Sequence, residues 1–435
     1  MSPALARLLA EERPLVRMPG AALTAGDLRS LAAGLAAALP SAPAALNLCE
    51  RRGNFLAGFV ALLMRGQTCL LPPSRAPAAL DEVMQEHPGC YRLDDAVVER
   101  CRVAADVAPR ALPDVAAQRV VVVGYTSGST GRPTANPKTW ATFVASTRLN
   151  AARLRDVLGA EQHDALPWLL ATVPPQHMYG MEMSVLLPLL GGMGIHGGHP
   201  LYPADIAAAL AELPEPRILV TTPVHLRALV QSGVELPAVR AVVSATAPLT
   251  QEMAEAVERR FQTTVLEFFG STETCVIASR RPTRELAWHA YPGVALQPQE
   301  AGTRVSAPWL PEAVLLQDML ELRDDGCFIV RGRNADMVEV GGKRASLADL
   351  TRRLMSVPGV RDAIVFQPEA AGGAAVQRLA ALVVADGVTD AQLLERLAPL
   401  MDPVFLPRPL MLVARLPRND VGKLPRDELL AALRR

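Results

Sequence analysis

The sequence predicts an α/β protein in two parts, a large amino-terminal α/β domain followed by a small α+β domain. Three observations carry this. Short apolar, β-branched runs alternate with amphipathic stretches of helical period, the signature of strands and helices in layers. Near residue 333 that texture gives way to a segment of about 100 residues with a different order of elements, the size of a small domain. The 435 residues, 50% apolar and 20% charged, suffice for more than one core.

Strands are expected at Ala45–Cys49, Val120–Val123, Leu169–Val173, Ile218–Thr222, Ala241–Ser244 and Val265–Phe268, each a brief apolar run. Helices are expected between them at Thr139–Leu158, Met181–Leu190, Pro223–Gln231 and Gln251–Phe261. Connections carry turn residues, as in Gly192-Met193-Gly194 and Gly197-Gly198. After the polar turn Gly332–Asp336 the order becomes strand, helix (Ser346–Met355), two strands (Ala363–Gln367, Leu379–Val384), helix (Asp390–Leu397) and strand (Met411–Ala414). The expected domains are therefore 1–331 and 337–435, joined by a hinge at 332–336. No repeat of fixed period argues for a solenoid.

Composition excludes several classes. Lys plus Arg and Asp plus Glu both number 44, with no basic tract, which disfavours a nucleic-acid scaffold. No apolar run is long enough to span a membrane, and Met1–Arg17 does not read as a signal peptide. Six cysteines without CxxC spacing point to reduced thiols in a cytoplasmic protein. Only Lys138, Lys343 and Lys423 are lysines; every other basic residue is arginine.

The segment Gly124-Tyr125-Thr126-Ser127-Gly128-Ser129-Thr130-Gly131-Arg132-Pro133 follows directly on a strand. Its glycines free backbone N–H groups and its hydroxyls add donors, a composition suited to an anion with several oxygens. It lacks the GxxxxGK[ST] pattern, so it does not hold phosphate in the P-loop NTPase manner. The segment resembles the phosphate-binding signature of the AMP-forming, acyl-adenylate-making ligase superfamily over Tyr125–Pro133. It departs at Thr134, where that family has lysine. Lys138, entering the next helix, is the nearest substitute; the plainer alternative is a solvated lysine at a helix start.

Further motifs follow in the family's order. Pro174-Pro175-Gln176-His177-Met178-Tyr179-Gly180 resembles its His-x-x-Gly element, in which His177 would gate the carboxylate pocket. Ser244-Ala245-Thr246-Ala247-Pro248-Leu249 is similar to the turn that flanks adenine. Phe269-Gly270-Ser271-Thr272-Glu273 resembles Tyr-Gly-x-Thr-Glu, implying that Phe269 stacks on adenine, Thr272 contacts the α-phosphate and Glu273 holds Mg²⁺. Asp318 stands at the spacing of the ribose-binding aspartate, and Arg333 would approach ribose or phosphate. Gly341-Gly342-Lys343-Arg344 resembles the loop facing the pantetheine thiol. Pro417–Arg426 carries Lys423 where the family has its adenylating lysine. The substrate pocket is expected at His177, Met178, Gly180, Thr222, Thr246 and Cys275. The nucleotide is expected at Thr126, Ser127, Gly128, Ser129, Thr130, Gly131, Thr246, Ala247, Phe269, Gly270, Asp318 and Arg333.

The resemblance implies a large multi-layer α/β domain with a small mobile α+β domain, and a ligase using ATP and Mg²⁺. It would activate a carboxylic acid as acyl-AMP and pass the acyl group to a thiol of an acyl carrier protein or of CoA. The segments Pro174–Gly180 and Gly342–Leu347 look closest to short bacterial ligases of aryl-polyene and xanthomonadin-type pathways, which take hydroxybenzoate-like acids. A non-catalytic nucleotide-binding relative is the alternative of another class, prompted by Thr134, Ala335 and Glu339; Glu273 and Lys423 disfavour it.

Overall fold

The computed structural model describes residues 12–18, 20–104, 114–127, 133–159, 165–333, 337–340, 343–368, 378–418 and 424–434. Two compact units emerge from the chain. One comprises Met1–Val294 with Ala307–Pro311, the other Ala295–Ser306 with Glu312–Arg435. The second unit thus takes in strands that precede residue 332; residues 334–336 of the expected hinge lie outside the described residues.

The amino-terminal unit contains fourteen strands among the described residues: β1 Pro14–Met18, β2 Ala21–Thr24, β3 Ala44–Asn47, β4 Thr68–Leu71, β5 Tyr91–Leu93, β6 Val120–Ser127, β7 Pro133–Thr139, β8 Trp168–Ala171, β9 Gly194–His196, β10 Arg217–Thr221, β11 Ala241–Ser244, β12 Thr264–Ser271, β13 Cys275–Arg280 and β14 His289–Ala290. They form a five-stranded sheet, β5-β3-β4-β6-β7, and a nine-stranded sheet, β14-β13-β12-β11-β10-β8-β9-β1-β2. Strands β5-β3-β4-β6 and the run β12-β11-β10-β8-β9-β1 are parallel, so each sheet is buried by crossover helices and its strands read as unbroken apolar runs. Trp168, Leu170, Leu219, Val242 and Val265 on one face of the large sheet pack against Ile206, Leu210, Leu226, Leu229 and Val257 of the helices. Each such burial contributes about 1.5–3 kcal/mol. Helix starts are set by threonines: Thr139, Thr222 and Thr250 each accept the N–H of the residue three ahead.

Helices 223–231 and 251–261 and strand β11 coincide with their expected spans. The expected helix 181–190 begins earlier, at Met178, and passes through a π-turn, Glu182–Leu186. The principal departure is β7. Residues 133–139 form an edge strand antiparallel to β6, so Lys138 does not enter a helix. Two prolines in seven residues hide the strand from a reading by propensity, yet an edge tolerates their missing N–H groups.

The carboxy-terminal unit is α+β, as expected. β22 Val360–Phe366, β23 Ala380–Ala385 and β24 Leu410–Leu412 form one sheet. Its Ala363, Val365, Ala381 and Val383 bury against Leu350 and Leu354 of helix 347–355 and Leu393 and Leu397 of helix 390–397. The opposite face, Phe366, Leu382 and Val384, packs with Leu429 of helix 426–433. The smaller sheets are β15 Ala295–Gln299, β16 Gly302–Ser306 and β17 Val314–Leu316; β18 Asp318–Leu322 with β19 Phe328–Arg333; and β20 Met337–Val340 with β21 Lys343–Ser346.

Candidate active site

In parallel sheets, ligands collect at the carboxyl ends of the strands. Here the ends of β6, β8, β11 and β12 are tied together in the amino-terminal unit. At the end of β6, the buried Tyr125 places its hydroxyl between His87 Nε2, at 2.6 Å, and Glu86 Oε2, at 3.0 Å. Burial, and then the Glu86 carboxylate, push this phenol above its ordinary range, so it stays a neutral anchor. Thr126 lies opposite Thr134 in the β6–β7 ladder, and Asn136 Nδ2 donates to the Thr134 carbonyl at 3.0 Å. Ser127 ends β6; Gly128, Ser129, Thr130 and Gly131 lie outside the described residues.

Gly124 marks where the segments meet. A Cβ there would stand 2.9 Å from Met178 Cε and 3.1 Å from Thr272 Cγ2, so any larger residue must displace the methionine tip and press on the threonine methyl. Met178 is buried in the first turn of the helix after β8, and His177 is its N-cap residue. The His177 carbonyl accepts the Met181 N–H at 2.7 Å. Tyr179 donates its hydroxyl to the Val243 carbonyl on β11 at 3.0 Å, and Gly180 accepts the Ser184 hydroxyl at 2.5 Å. Beneath this segment, Arg52 is fully buried and donates to the Ala171 and Val173 carbonyls at 3.1 and 3.0 Å and to Ser184 Oγ.

Thr222 caps helix 223–231 and is buried. Thr246, next to Ala247 in the turn after β11, has φ +78°, a left-handed backbone that a β-branched residue adopts only under constraint. The turn is pinned by Glu267, whose carboxylate accepts the Leu249 N–H at 2.9 Å and the Arg280 Nε at 2.7 Å.

Phe269 and Gly270 sit at an irregularity in the β12–β13 ladder that opens into the turn Ser271–Thr274. The Phe269 ring packs on Trp288 with centroids 5.3 Å apart. Cys275, buried at the foot of the turn, has φ +62°. Thr272 and Glu273 are half-buried, and among the described residues the Thr272 hydroxyl and Glu273 carboxylate make no hydrogen bond or ion pair. The described residues hold no group of three or more His, Cys, Asp or Glu side chains arranged for a metal. That donor set does not make an all-protein cage. It fits a hard cation held by one carboxylate and otherwise by water and phosphate oxygens.

Lys138 is not at a solvated helix start. It is 4% exposed, and its Nζ donates to the Glu273 main-chain carbonyl. Glu182, 1% exposed, belongs to none of the motifs, although an acid within an apolar helical run signals a partnered buried group. Burial raises its proton affinity, against hydrogen bonds from Ser146, Val276 and Asn150 and the charge of Lys138.

Within the carboxy-terminal unit, Asp318 and Arg333 are directly opposed on β18 and β19. Lys343 and Arg344 pair with Val340 and Glu339 across the β20–β21 hairpin. Gly341, Gly342 and Lys423 lie outside the described residues.

Residues 72–304 match the family described as AMP-binding enzyme. The chain belongs to that family. It is 30% identical to a 4-coumarate–CoA ligase of Halorhodospira halophila over 69% of this chain and 73% of that one. It is 26% identical to a sulfoacetate–CoA ligase of Cupriavidus necator over 75% and 69% of the two chains. Among solved structures, ATP-bound MatB from Rhodopseudomonas palustris shares the fold at a TM-score of 0.83 and 19% identity, with 99% and 98% coverage. The o-succinylbenzoate CoA synthetase of Bacillus subtilis, complexed with its acyl-adenylate OSB-AMP, gives 0.83 and 18%, with 98% and 97% coverage. The protein is an AMP-forming acid–thiol ligase that uses ATP. No helix among the described residues is long and apolar enough to cross a membrane.

Proposed function

We propose that this ligase activates an aryl acid of the hydroxybenzoate kind as acyl-AMP and transfers the acyl group to the phosphopantetheine thiol of an acyl carrier protein. The convergence of Gly124, Met178 and Thr272 carries the adenylation half, since it sets the phosphate-loop strand, the His177 segment and the Thr272-Glu273 turn side by side. A carboxylate oxygen of the acid attacks the α-phosphorus, the acyl–O–P bond forms, and the bond to pyrophosphate breaks. Thr272, with Thr126 and the Ser127–Gly131 backbone, binds the phosphates; Phe269, Thr246 and Ala247 bind the base; Asp318 and Arg333 bind the ribose. Lys423 is assigned to bridge the attacking carboxylate and the α-phosphate. Glu273 would hold Mg²⁺, which offsets phosphate charge when bound.

In the second half the thiol gives its proton to solvent, its sulfur attacks the acyl carbon, the C–S bond forms and the acyl C–O bond to the phosphate breaks, releasing AMP. Residues 332–336 are assigned as the hinge between the two half-reactions, and Gly341–Arg344 as the face for the thiol arm. The aryl reading rests on the Pro174–Gly180 and Gly342–Leu347 segments and gains support from the 4-coumarate–CoA ligase relative. Free CoA is the second reading for the acceptor, favoured because the two relatives described above are named as CoA ligases.

Pyrophosphate release across a panel of carboxylic acids tests the first half. Response to acetate or long fatty acids alone, with none to aromatic acids, sinks the aryl reading. Product mass spectrometry with holo carrier protein against CoA decides the acceptor. Bound ATP with no acyl-adenylate trapped by hydroxylamine makes the chain a non-catalytic relative.

A further inference from the structure

The turn that carries Thr272 and Glu273 is held from behind by three separate elements. Lys138 on β7 donates to the Glu273 carbonyl. Trp309, in the 307–311 segment, donates its indole N–H to the Thr274 carbonyl at 3.4 Å, and its own carbonyl accepts the Thr142 hydroxyl at 2.7 Å. Glu182, in the π-turn, accepts the Val276 N–H at 3.2 Å, the Ser146 hydroxyl at 2.5 Å and the Asn150 amide at 3.2 Å. Asn150 in turn accepts the Tyr291 hydroxyl at 2.9 Å. The turn has little room to relax at its mouth, because a Cβ at Gly270 would fall 2.2 Å from the Cys275 carbonyl oxygen.

The contacts that reach residues 273–276 from these elements go to main-chain atoms: the Glu273 and Thr274 carbonyls and the Val276 N–H. The side chains of Thr272 and Glu273 are left without partners among the described residues, on a backbone fixed from the inside. We propose that Lys138 is a positioning residue for Glu273: its buried ammonium fixes the Glu273 carbonyl and so sets the carboxylate for a phosphate-bound divalent cation. This deepens the adenylation reading and rests on it for the identity of that cation. It also replaces the role that the sequence suggested for Lys138, because a side chain committed to the Glu273 carbonyl is not the missing lysine of the phosphate loop.

The choice of lysine in an arginine-rich chain follows physically. A compact ammonium on a slender stem brings three N–H donors to the Glu273 carbonyl and its surroundings, whereas a guanidinium would bring five on a broad plane with few acceptors to meet them. Removing the ammonium loses one charge-assisted hydrogen bond and lets the carboxylate wander, and small misplacements at a reaction centre are costly.

The test uses Mn²⁺ as the cation and α,β-methylene-ATP as the nucleotide, read by electron paramagnetic resonance of free Mn²⁺ alongside thermal melting. Lys138→Met, which keeps the stem, is expected to fold but melt several degrees below the wild type, because Glu182 loses an opposing charge, and to need about tenfold more Mn²⁺ for half-saturation. In pyrophosphate release its Mg²⁺ requirement rises in parallel, with the KM for the acid within about twofold of wild type. Unchanged Mn²⁺ half-saturation overturns the proposal, and so does an equal rise in the acid KM, the mark of a generally loosened pocket. If Lys138→Met does not fold, Glu182→Gln is read the same way, with an expected rise of about threefold. Wild-type protein that binds Mn²⁺ and nucleotide but activates no acid refutes the functional reading alone, and the Mn²⁺ comparison still decides the role of Lys138.

Discussion

Arg280 and Glu267 form a buried ion pair at 2.6 Å, linking β13 to β12 behind the turn that follows β11. The side chains are 12% and 3% exposed, and the second Glu267 oxygen accepts the Leu249 N–H, so this pair holds Thr246 and Ala247 in place from a distance. Burial raises the proton affinity of Glu267, and the Arg280 charge is the main opposing influence. Arg280→Met strands the carboxylate and is expected to cost roughly 3–5 kcal/mol in urea denaturation. Glu267→Gln, which keeps an acceptor for Leu249, is expected to cost less. Where folded Arg280→Met can be assayed, the KM for ATP rises more than that for the acid; a selective rise for the acid refutes the adenine assignment of this turn.

Gly124→Ala tests whether Met178 and Thr272 are held against β6 for catalysis. The added methyl meets a flexible Met178 Cε and a stiff Thr272 methyl, so the methionine gives way first. Pyrophosphate release is expected to fall by about tenfold or more in kcat/KM while melting shifts only a few degrees. Met178→Ala in the same chain removes one of the two clashes and recovers part of that loss, so the pair is non-additive. Strict additivity would mean that the contact between the two positions has no bearing on catalysis.

Lys423→Ala addresses the assigned division of labour. The variant is expected to lose at least a hundredfold in pyrophosphate release yet to transfer the acyl group from supplied acyl-AMP at a near wild-type rate. Loss of both reactions contradicts a scheme in which this lysine serves only adenylation.

The parts of the fold that could be read ahead were those with continuous apolar strands. Both faces of β10 and β11 are covered, so Ile218–Thr221 and Ala241–Ser244 are legible from composition alone. The motifs after β8, β11 and β12 were legible because crowding at strand ends restricts residue type, as at Gly124 and Gly270. What escaped depended on pairing across long stretches of chain. Residues 133–139 become a strand because β6 offers an unpaired edge, and that edge is invisible in a segment with two prolines. The roles of Lys138 and Glu182 depend on partners 135 and 94 residues away, Glu273 and Val276, so no local spacing could reveal them. The three lysines drew attention by rarity, and one of them serves the interior.

His199 gives the protein a specific weakness to acid. Its Nε2 donates to the Thr172 carbonyl at 3.0 Å, just before the Pro174–Gly180 segment. Burial first, and the Arg52 charge second, push its pKa from 6.5 down to about 4, although the Thr172 carbonyl works the other way. The folded chain therefore keeps this imidazole neutral where the unfolded chain begins to protonate it. Because the unfolded state binds the extra proton, stability is lost as pH falls from 6.5 towards 4 and the loss levels off below that. The shift corresponds to roughly 3 kcal/mol at most. His199→Gln keeps an N–H donor for Thr172 without the titration. Urea denaturation at pH 7, 6, 5 and 4 is expected to show the variant gaining on the wild type by up to about 3 kcal/mol over that range. A difference between variant and wild type that stays constant with pH would mean that the folded protein protonates His199 freely, and the burial argument at this position would fail.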